Sequence, residues 1–76
     1  MKDLTLYLLS FLISKPESMS VEETENDYGT VLTIKVDKED MGRVIGKGGK
    51  IIRSLRDVVK ILAVKQNKHV DLVLAE

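Results

Sequence analysis

The apolar residues in the first half of the chain are spaced as in one helix followed by a β-hairpin. A helix is predicted from about Asp3, which can cap it, to about Ser14, because Pro16 cannot continue it. Apolar and polar side chains then alternate, as they do in strands, over residues 30–36 and more weakly over residues 19–25. The intervening "ENDYG" has the composition of a tight turn, so the two strands are expected to form a hairpin.

The second half of the chain has helical spacing on both sides of a glycine cluster. Asp37 can cap a helix that the cluster at residues 46–49 interrupts. A further helix is predicted from about Lys50 to Lys65. Residues 69–75 alternate again, which predicts the last strand. The predicted element order is therefore αββααβ.

This order predicts a two-layer fold. A strand–helix–helix–strand unit can return its last strand parallel to its first, with both helices packed on one face of the sheet. We expect a single domain over residues 1–76, an α/β domain of the two-layer α+β kind, with a three-stranded mixed sheet and the helices on one face. The helix at 50–65 should face the sheet with Ile51, Leu55, Val58, Val59 and Leu62.

The composition narrows the classes of function. The chain has 76 residues, of which 43% are hydrophobic and 32% charged, as in an ordinary globular domain and unlike a disordered one. It has no cysteine and one histidine, and it has no paired-carboxylate motif, so we expect no catalysis, no metal site and no cofactor. The apolar run at residues 4–13 is shorter than the ~20 residues that span a bilayer. No cleavage site follows it, so a cytoplasmic protein without a signal peptide is expected.

Charge is unevenly distributed along the chain, although the net charge is zero. Residues 1–42 carry four basic and nine acidic groups, whereas residues 43–68 carry eight basic groups and one acidic group. A small domain with such a dipole can present an anion-binding face without being basic as a whole. The charge pattern therefore favours the second half of the chain as the site of any polyanion contact.

The glycine cluster lies where the basic residues are densest. Its sequence, Gly46-Lys47-Gly48-Gly49, directly precedes a helix N-terminus, where free N–H groups and the helix dipole favour an anion. Glycines carry no Cβ atom, so a phosphate backbone could approach them closely. A helical wheel adds one row of cations beside the cluster: Lys50, Arg53, Arg56 and Lys60. An anionic ligand is the favoured interpretation, and a simple connector between two helices is the alternative.

At these residues the chain resembles a known family. The segment "VIGKGGKII", residues 44–52, is similar to the KH-domain signature, in which a G-x-x-G loop joins two helices. The αββααβ order resembles the type II arrangement of that family. The longer segment "EDMGRVIGKGGKIIRSLR" is similar to the small bacterial single-KH-domain RNA-binding proteins, the KH-domain protein A family. The resemblance implies binding of single-stranded RNA, with about four nucleotides in a groove.

The resemblance also implies roles for particular residues. Those implied to contact RNA are Arg43, Ile45, Gly46, Lys47, Gly48, Gly49, Lys50, Ile52 and Arg53. The glycines and Lys47 would meet the phosphates, while Ile45 and Ile52 would form an apolar floor under the bases. The far wall would come from the last strand, near Val70 to Leu72. An RNA chaperone or a post-transcriptional regulator would use such a module.

Two apolar surfaces have no predicted partner within the domain. The first helix is apolar on all sides, and Ile61 and Val64 fall beside the cationic row. Exposed apolar clusters often mark protein contacts, and the resemblance implies a dimer, either with itself or with a larger KH-containing protein. The rival function is a protein–protein interaction module whose G-x-x-G turn and apolar edges contact a protein partner.

Overall fold

The computed structural model describes residues 1–75 and has the predicted element order. Its main elements are α1 (Lys2–Ser10), β1 (Ser20–Asn26), β2 (Gly29–Lys35), α2 (Lys38–Ile45), α3 (Lys50–Lys65) and β3 (Val70–Leu74). Two short 3₁₀ turns complete the chain, Pro16–Ser18 before β1 and Lys47–Gly49 between α2 and α3. The αββααβ order is thus confirmed, and the bounds predicted for the long helix are those of α3.

The sheet is three-stranded and mixed, as predicted. The strand order is β1-β2-β3, with β1 antiparallel to β2 and β2 parallel to β3. The register pairs Val21 with Ile34 and Leu32 with Leu72. These four side chains are all buried. Because alternate residues share one face of a strand, this face of the sheet forms the floor of the core.

The helices supply the other half of the core. Leu9 of α1, Val44 of α2, and Val59 and Ala63 of α3 are buried together with the inward residues of the sheet. The buried side of α3 is centred further round the helix than predicted, because Val58 is 44% exposed while Ala63 is buried. Val58 was therefore placed wrongly in the core-facing stripe. Ala63 and Val59 therefore mark the side of α3 that faces the core.

The end of α1 differs from the prediction. The helix ends at Ser10 with Phe11 as its cap, rather than near Ser14. The main-chain N–H and hydroxyl of Ser14 donate to Asp40 Oδ1 at 2.9 and 2.7 Å, and the N–H of Lys15 donates to Asp40 Oδ2 at 2.9 Å. A helix that continued would direct these N–H groups to its own carbonyls. The buried carboxylate of Asp40 accepts their hydrogen bonds instead, and these bonds connect the segment after α1 to α2.

The start of α1 was also predicted wrongly. Met1 is the N-terminal cap and makes no side-chain hydrogen bond, while Asp3 lies within the first turn. The prediction for α2 is confirmed, since Asp37 caps it by accepting a hydrogen bond from the N–H of Glu39 at 2.9 Å. A well-fixed start of α2 matters for the site, because the G-x-x-G loop follows its last residue.

Candidate nucleic-acid interface

The G-x-x-G loop is a tight connection between α2 and α3. Gly46 ends α2, its N–H donating to the carbonyl of Gly42, and Lys47–Gly49 form a single 3₁₀ turn that runs into α3 at Lys50. Three of the four loop residues have positive φ angles, namely Gly46 at 75°, Gly48 at 64° and Gly49 at 77°. Side chains are disfavoured in this region of φ, so the backbone path itself requires the glycines.

The glycines of the loop have different surroundings. A Cβ atom on Gly46 would lie 2.6 Å from Cγ1 of Ile51, so this glycine is needed for packing inside the protein. A Cβ atom on Gly48 would meet nothing within 4 Å. The space beside Gly48 is therefore open to a ligand. The space beside Gly46 is instead filled by Ile51 in the first turn of α3.

The predicted cations divide into two groups. Arg43, Lys47 and Lys50 are exposed, and within residues 1–75 none of them forms an ion pair. The other members of the cationic row have partners in the protein. Arg53 donates to the carbonyls of Gly48 and Gly49, and Arg56 donates through Nε to the carbonyl of Leu72 at 3.3 Å. Lys60 lies 3.4 Å from Asp71.

A mainly apolar groove of about 760 Å³ opens beside the loop. Its lining residues are Val36, Lys38, Met41, Ile45, Ile52, Arg56, Val73 and Leu74. Ile45 and Ile52, for which the resemblance implied an apolar floor under the bases, thus lie in one concave surface beside the loop. The volume falls in the range of about 300–1,000 Å³ that is usual for ligand sites.

Several groove residues were not identified from the sequence. Met41 is half-buried and lines the groove. The strand side of the groove comes from Val73 and Leu74, at the end of β3, rather than from Val70 to Leu72, whose two apolar side chains are buried in the core. A helical wheel could have found Met41, which lies four residues before Ile45. The contribution of β3 depends on its register in the sheet.

The electrostatics at the start of α2 hold one wall of the groove in place. Hydrogen bonds lower the pKa of the Asp40 carboxyl below its usual value, the largest contribution coming from the main-chain N–H of Ser14. Beside it, Lys15 contacts Glu39 Oε2 at 2.9 Å, and this hydrogen bond together with the charge of Asp37 raises the pKa of Lys15. These groups anchor α2 at the end opposite to the loop.

Other kinds of site receive no support from the described residues. No cluster of three or more histidine, cysteine or carboxylate side chains within residues 1–75 could hold a metal ion. None of the helices formed by those residues is long and apolar enough to cross a bilayer.

The fold and the loop define a class of protein before any comparison is made. Two helices joined by a G-x-x-G turn, packed on a three-stranded mixed sheet in αββααβ order, are the features of a type II KH domain. The model of the KhpA/KhpB KH-domain family matches residues 2–74. The chain belongs to the KhpA/KhpB family of KH domains.

Curated relatives agree with this assignment. The chain is 44% identical to the RNA-binding protein KhpA of Clostridium perfringens over 70 residues, which cover 92% of this chain and 93% of the relative. It is 36% identical to the RNA-binding protein KhpA of Listeria monocytogenes over the full length of both chains. It is 30% identical to the RNA-binding protein KhpA of Chlamydia caviae, over 100% of this chain and 97% of the relative. No solved structure matches the chain.

Proposed function

We propose that this protein binds single-stranded RNA, with the phosphates on the G-x-x-G loop and the bases in the apolar groove beside it. The observation that carries the proposal is the junction of these two surfaces. Lys47 and Lys50 lie at the exposed loop, whereas Ile45 and Ile52 flank it and line the groove. A single strand needs both environments at once, cations for its backbone and an apolar surface for its unstacked bases.

The three cations that form no ion pair within residues 1–75 set the expected strength of binding. If Arg43, Lys47 and Lys50 each neutralise one phosphate, log K should fall with log[salt] with a slope of about −2, since single strands give about −0.7 per phosphate. Three phosphate contacts and one groove should give weak binding by the isolated domain. A duplex cannot place its stacked bases in the groove, so a duplex DNA of equal length should bind less tightly.

The test is a double substitution at the loop tip, Lys47→Asp with Gly48→Asp. Lys47 and Gly48 are both exposed, and two carboxylates there would repel the phosphate backbone. We expect loss of binding to a labelled single-stranded RNA with an unchanged circular dichroism spectrum. An unchanged RNA affinity would refute the groove as the binding site.

A matched control lies at the other end of α3. Lys65→Asp with Asn67→Asp introduces the same change in charge at two exposed positions, and Asn67 has a positive φ of 56°, as Gly48 has. This variant should keep most of the RNA affinity. An equal loss in both variants would mean that total charge, and not the loop, governs binding.

We further propose that the protein is not an enzyme and acts in the cytoplasm as a dimer, serving as an RNA chaperone or a post-transcriptional regulator. Ile61 and Val64 support the dimer, because they are 60% and 71% exposed on α3. Ile61 lies eleven residues after Lys50, which places it about 16 Å further along the helix at about 1.5 Å per residue. A partner there, a second copy or a larger KH-containing protein, would leave the loop accessible.

A further inference from the structure

The tip of the G-x-x-G loop has almost no packing to hold its conformation. Gly48 and Gly49 both adopt left-handed backbone angles, with φ of 64° and 77°. A Cβ atom on Gly48 would meet no atom within 4 Å, and one on Gly49 would meet only Nε of Arg53, at 3.9 Å. Glycine has more conformational freedom than any other residue. Two consecutive glycines with so little packing, Gly48 exposed and Gly49 half-buried, therefore need another source of order.

Arg53 provides that order through its guanidinium group. Its Nη2 donates to the carbonyl of Gly48 at 2.7 Å, and its Nε donates to the carbonyl of Gly49 at 3.2 Å. The guanidinium is planar and rigid, so two hydrogen bonds from one such group fix the relative orientation of both carbonyls. Arg53 lies in the first turn of α3, which is itself packed on the sheet. The loop tip is thus tied to a rigid element.

The same two peptide groups are also held on their N–H sides. The N–H of Gly49 donates to the carbonyl of Gly46 at 3.1 Å, and the N–H of Lys50 donates to the carbonyl of Lys47. Each peptide plane is therefore restrained at its oxygen by Arg53 and at its nitrogen by the 3₁₀ turn. The N–H groups of Lys47 and Gly48 begin the turn, so they have no partner within it and can face a ligand.

We propose that Arg53 is a positioning residue for RNA binding, which orders the G-x-x-G loop and does not contact a phosphate. This inference rests on the proposed function and deepens it. Arg53 draws the carbonyl oxygens of Gly48 and Gly49 towards α3, so that their partial negative charges are neutralised and do not repel an incoming phosphate. It also holds the loop in its binding conformation before RNA arrives, which lowers the entropic cost of association.

Arg53→Lys is the decisive variant. It keeps the positive charge, but one ammonium group on a flexible stem does not reproduce the rigid two-pronged donor. In the RNA-free Arg53→Lys protein we expect the backbone amides of Gly49 and Lys50 to exchange hydrogen faster than in the wild type. Measurements of ¹⁵N relaxation should also show larger backbone motion at these two residues. RNA affinity should fall about tenfold, or about 1.4 kcal/mol, while the slope of log K against log[salt] stays unchanged because no phosphate contact is lost.

Lys50→Gln is the comparison variant, since Lys50 is exposed and has no partner within residues 1–75. It should leave the loop amides as they are and should make the salt slope shallower by about 0.7, the loss of one phosphate contact. Arg53→Gln, which removes the charge, should resemble Arg53→Lys in loop motion and should not show this change in slope.

Two results would overturn the positioning role. One is an Arg53→Gln protein with an ordered loop and a slope shallower by about 0.7, which would make Arg53 a phosphate ligand. The other is an Arg53→Lys protein whose loop amides are as protected as in the wild type. The second readout needs no RNA, so it decides whether Arg53 orders the loop even if the wild type proves not to bind RNA. Arg53 is exposed, and circular dichroism should confirm that each variant stays folded.

Discussion

Gly46 is the position in the G-x-x-G loop at which a single added methyl group should cost the most stability. Its φ of 75° and ψ of 173° belong to a backbone region that only glycine occupies readily, and forcing alanine into it costs about 1–3 kcal/mol. The new Cβ would also lie 2.6 Å from Cγ1 and 2.9 Å from Cβ of Ile51. Because the Cβ of Ile51 is fixed to the backbone of α3, the helix itself must shift.

The two costs can be combined into one estimate. Overpacking of this kind adds about 1–3 kcal/mol, so Gly46→Ala should lower the free energy of unfolding by about 2–6 kcal/mol. A domain of 76 residues has a total free energy of unfolding of about 4–11 kcal/mol, at about 0.05–0.15 kcal/mol per residue. The variant should therefore be severely destabilised, and part of it should be unfolded at physiological temperature.

Two other glycines of the chain serve as matched controls in urea denaturation followed by circular dichroism. Gly48→Ala introduces backbone strain without a steric contact, so it should lower the free energy of unfolding by about 1–2 kcal/mol. Gly42 lies inside α2 with no atom near the site of a Cβ, so Gly42→Ala should stabilise the domain by up to about 1 kcal/mol. If Gly46→Ala proves no more destabilising than Gly48→Ala, the argument from the contact with Ile51 is wrong.

Two further predictions concern assembly and acid stability. Ile61→Asp should remain folded, since the side chain is 60% exposed, but it should weaken the association of a dimer by about 2–5 kcal/mol. Sedimentation at several concentrations measures this association. A variant that self-associates like the wild type would exclude the position from the interface. Because the folded-state pKa of Asp40 lies below its unfolded value, the stability that it contributes is present above about pH 4 and is lost as the pH falls through the folded pKa. Thermal unfolding of Asp40→Asn should accordingly change less between neutral and acid pH than that of the wild type, and an equal change in both proteins would contradict this role for Asp40.

The sequence alone was sufficient for several features that depend on neighbouring residues, although it misplaced the N-terminal cap of α1. The span of α3 from Lys50 to Lys65 follows from its 3.6-residue apolar spacing, and the start of α2 follows from the short-range bond between Asp37 and the N–H of Glu39. The G-x-x-G loop and its resemblance to KH domains could be found for the same reason, since all four loop residues are consecutive. The resemblance to that family rests on these local features and on the element order, and the match of the family model to residues 2–74 shows the membership.

The tertiary structure decided whatever depends on residues that are distant in sequence. Asp40 accepts hydrogen bonds from Ser14, 26 positions away in the segment that follows α1, and no local pattern encodes this contact. Arg53 and Arg56 look alike on a helical wheel, yet one binds the loop and the other binds β3. The groove wall at Val73 and Leu74 exists only because β3 pairs with β2 in one register. The residue types set which contacts are chemically possible, but only the packed chain brings a given donor within reach of its acceptor.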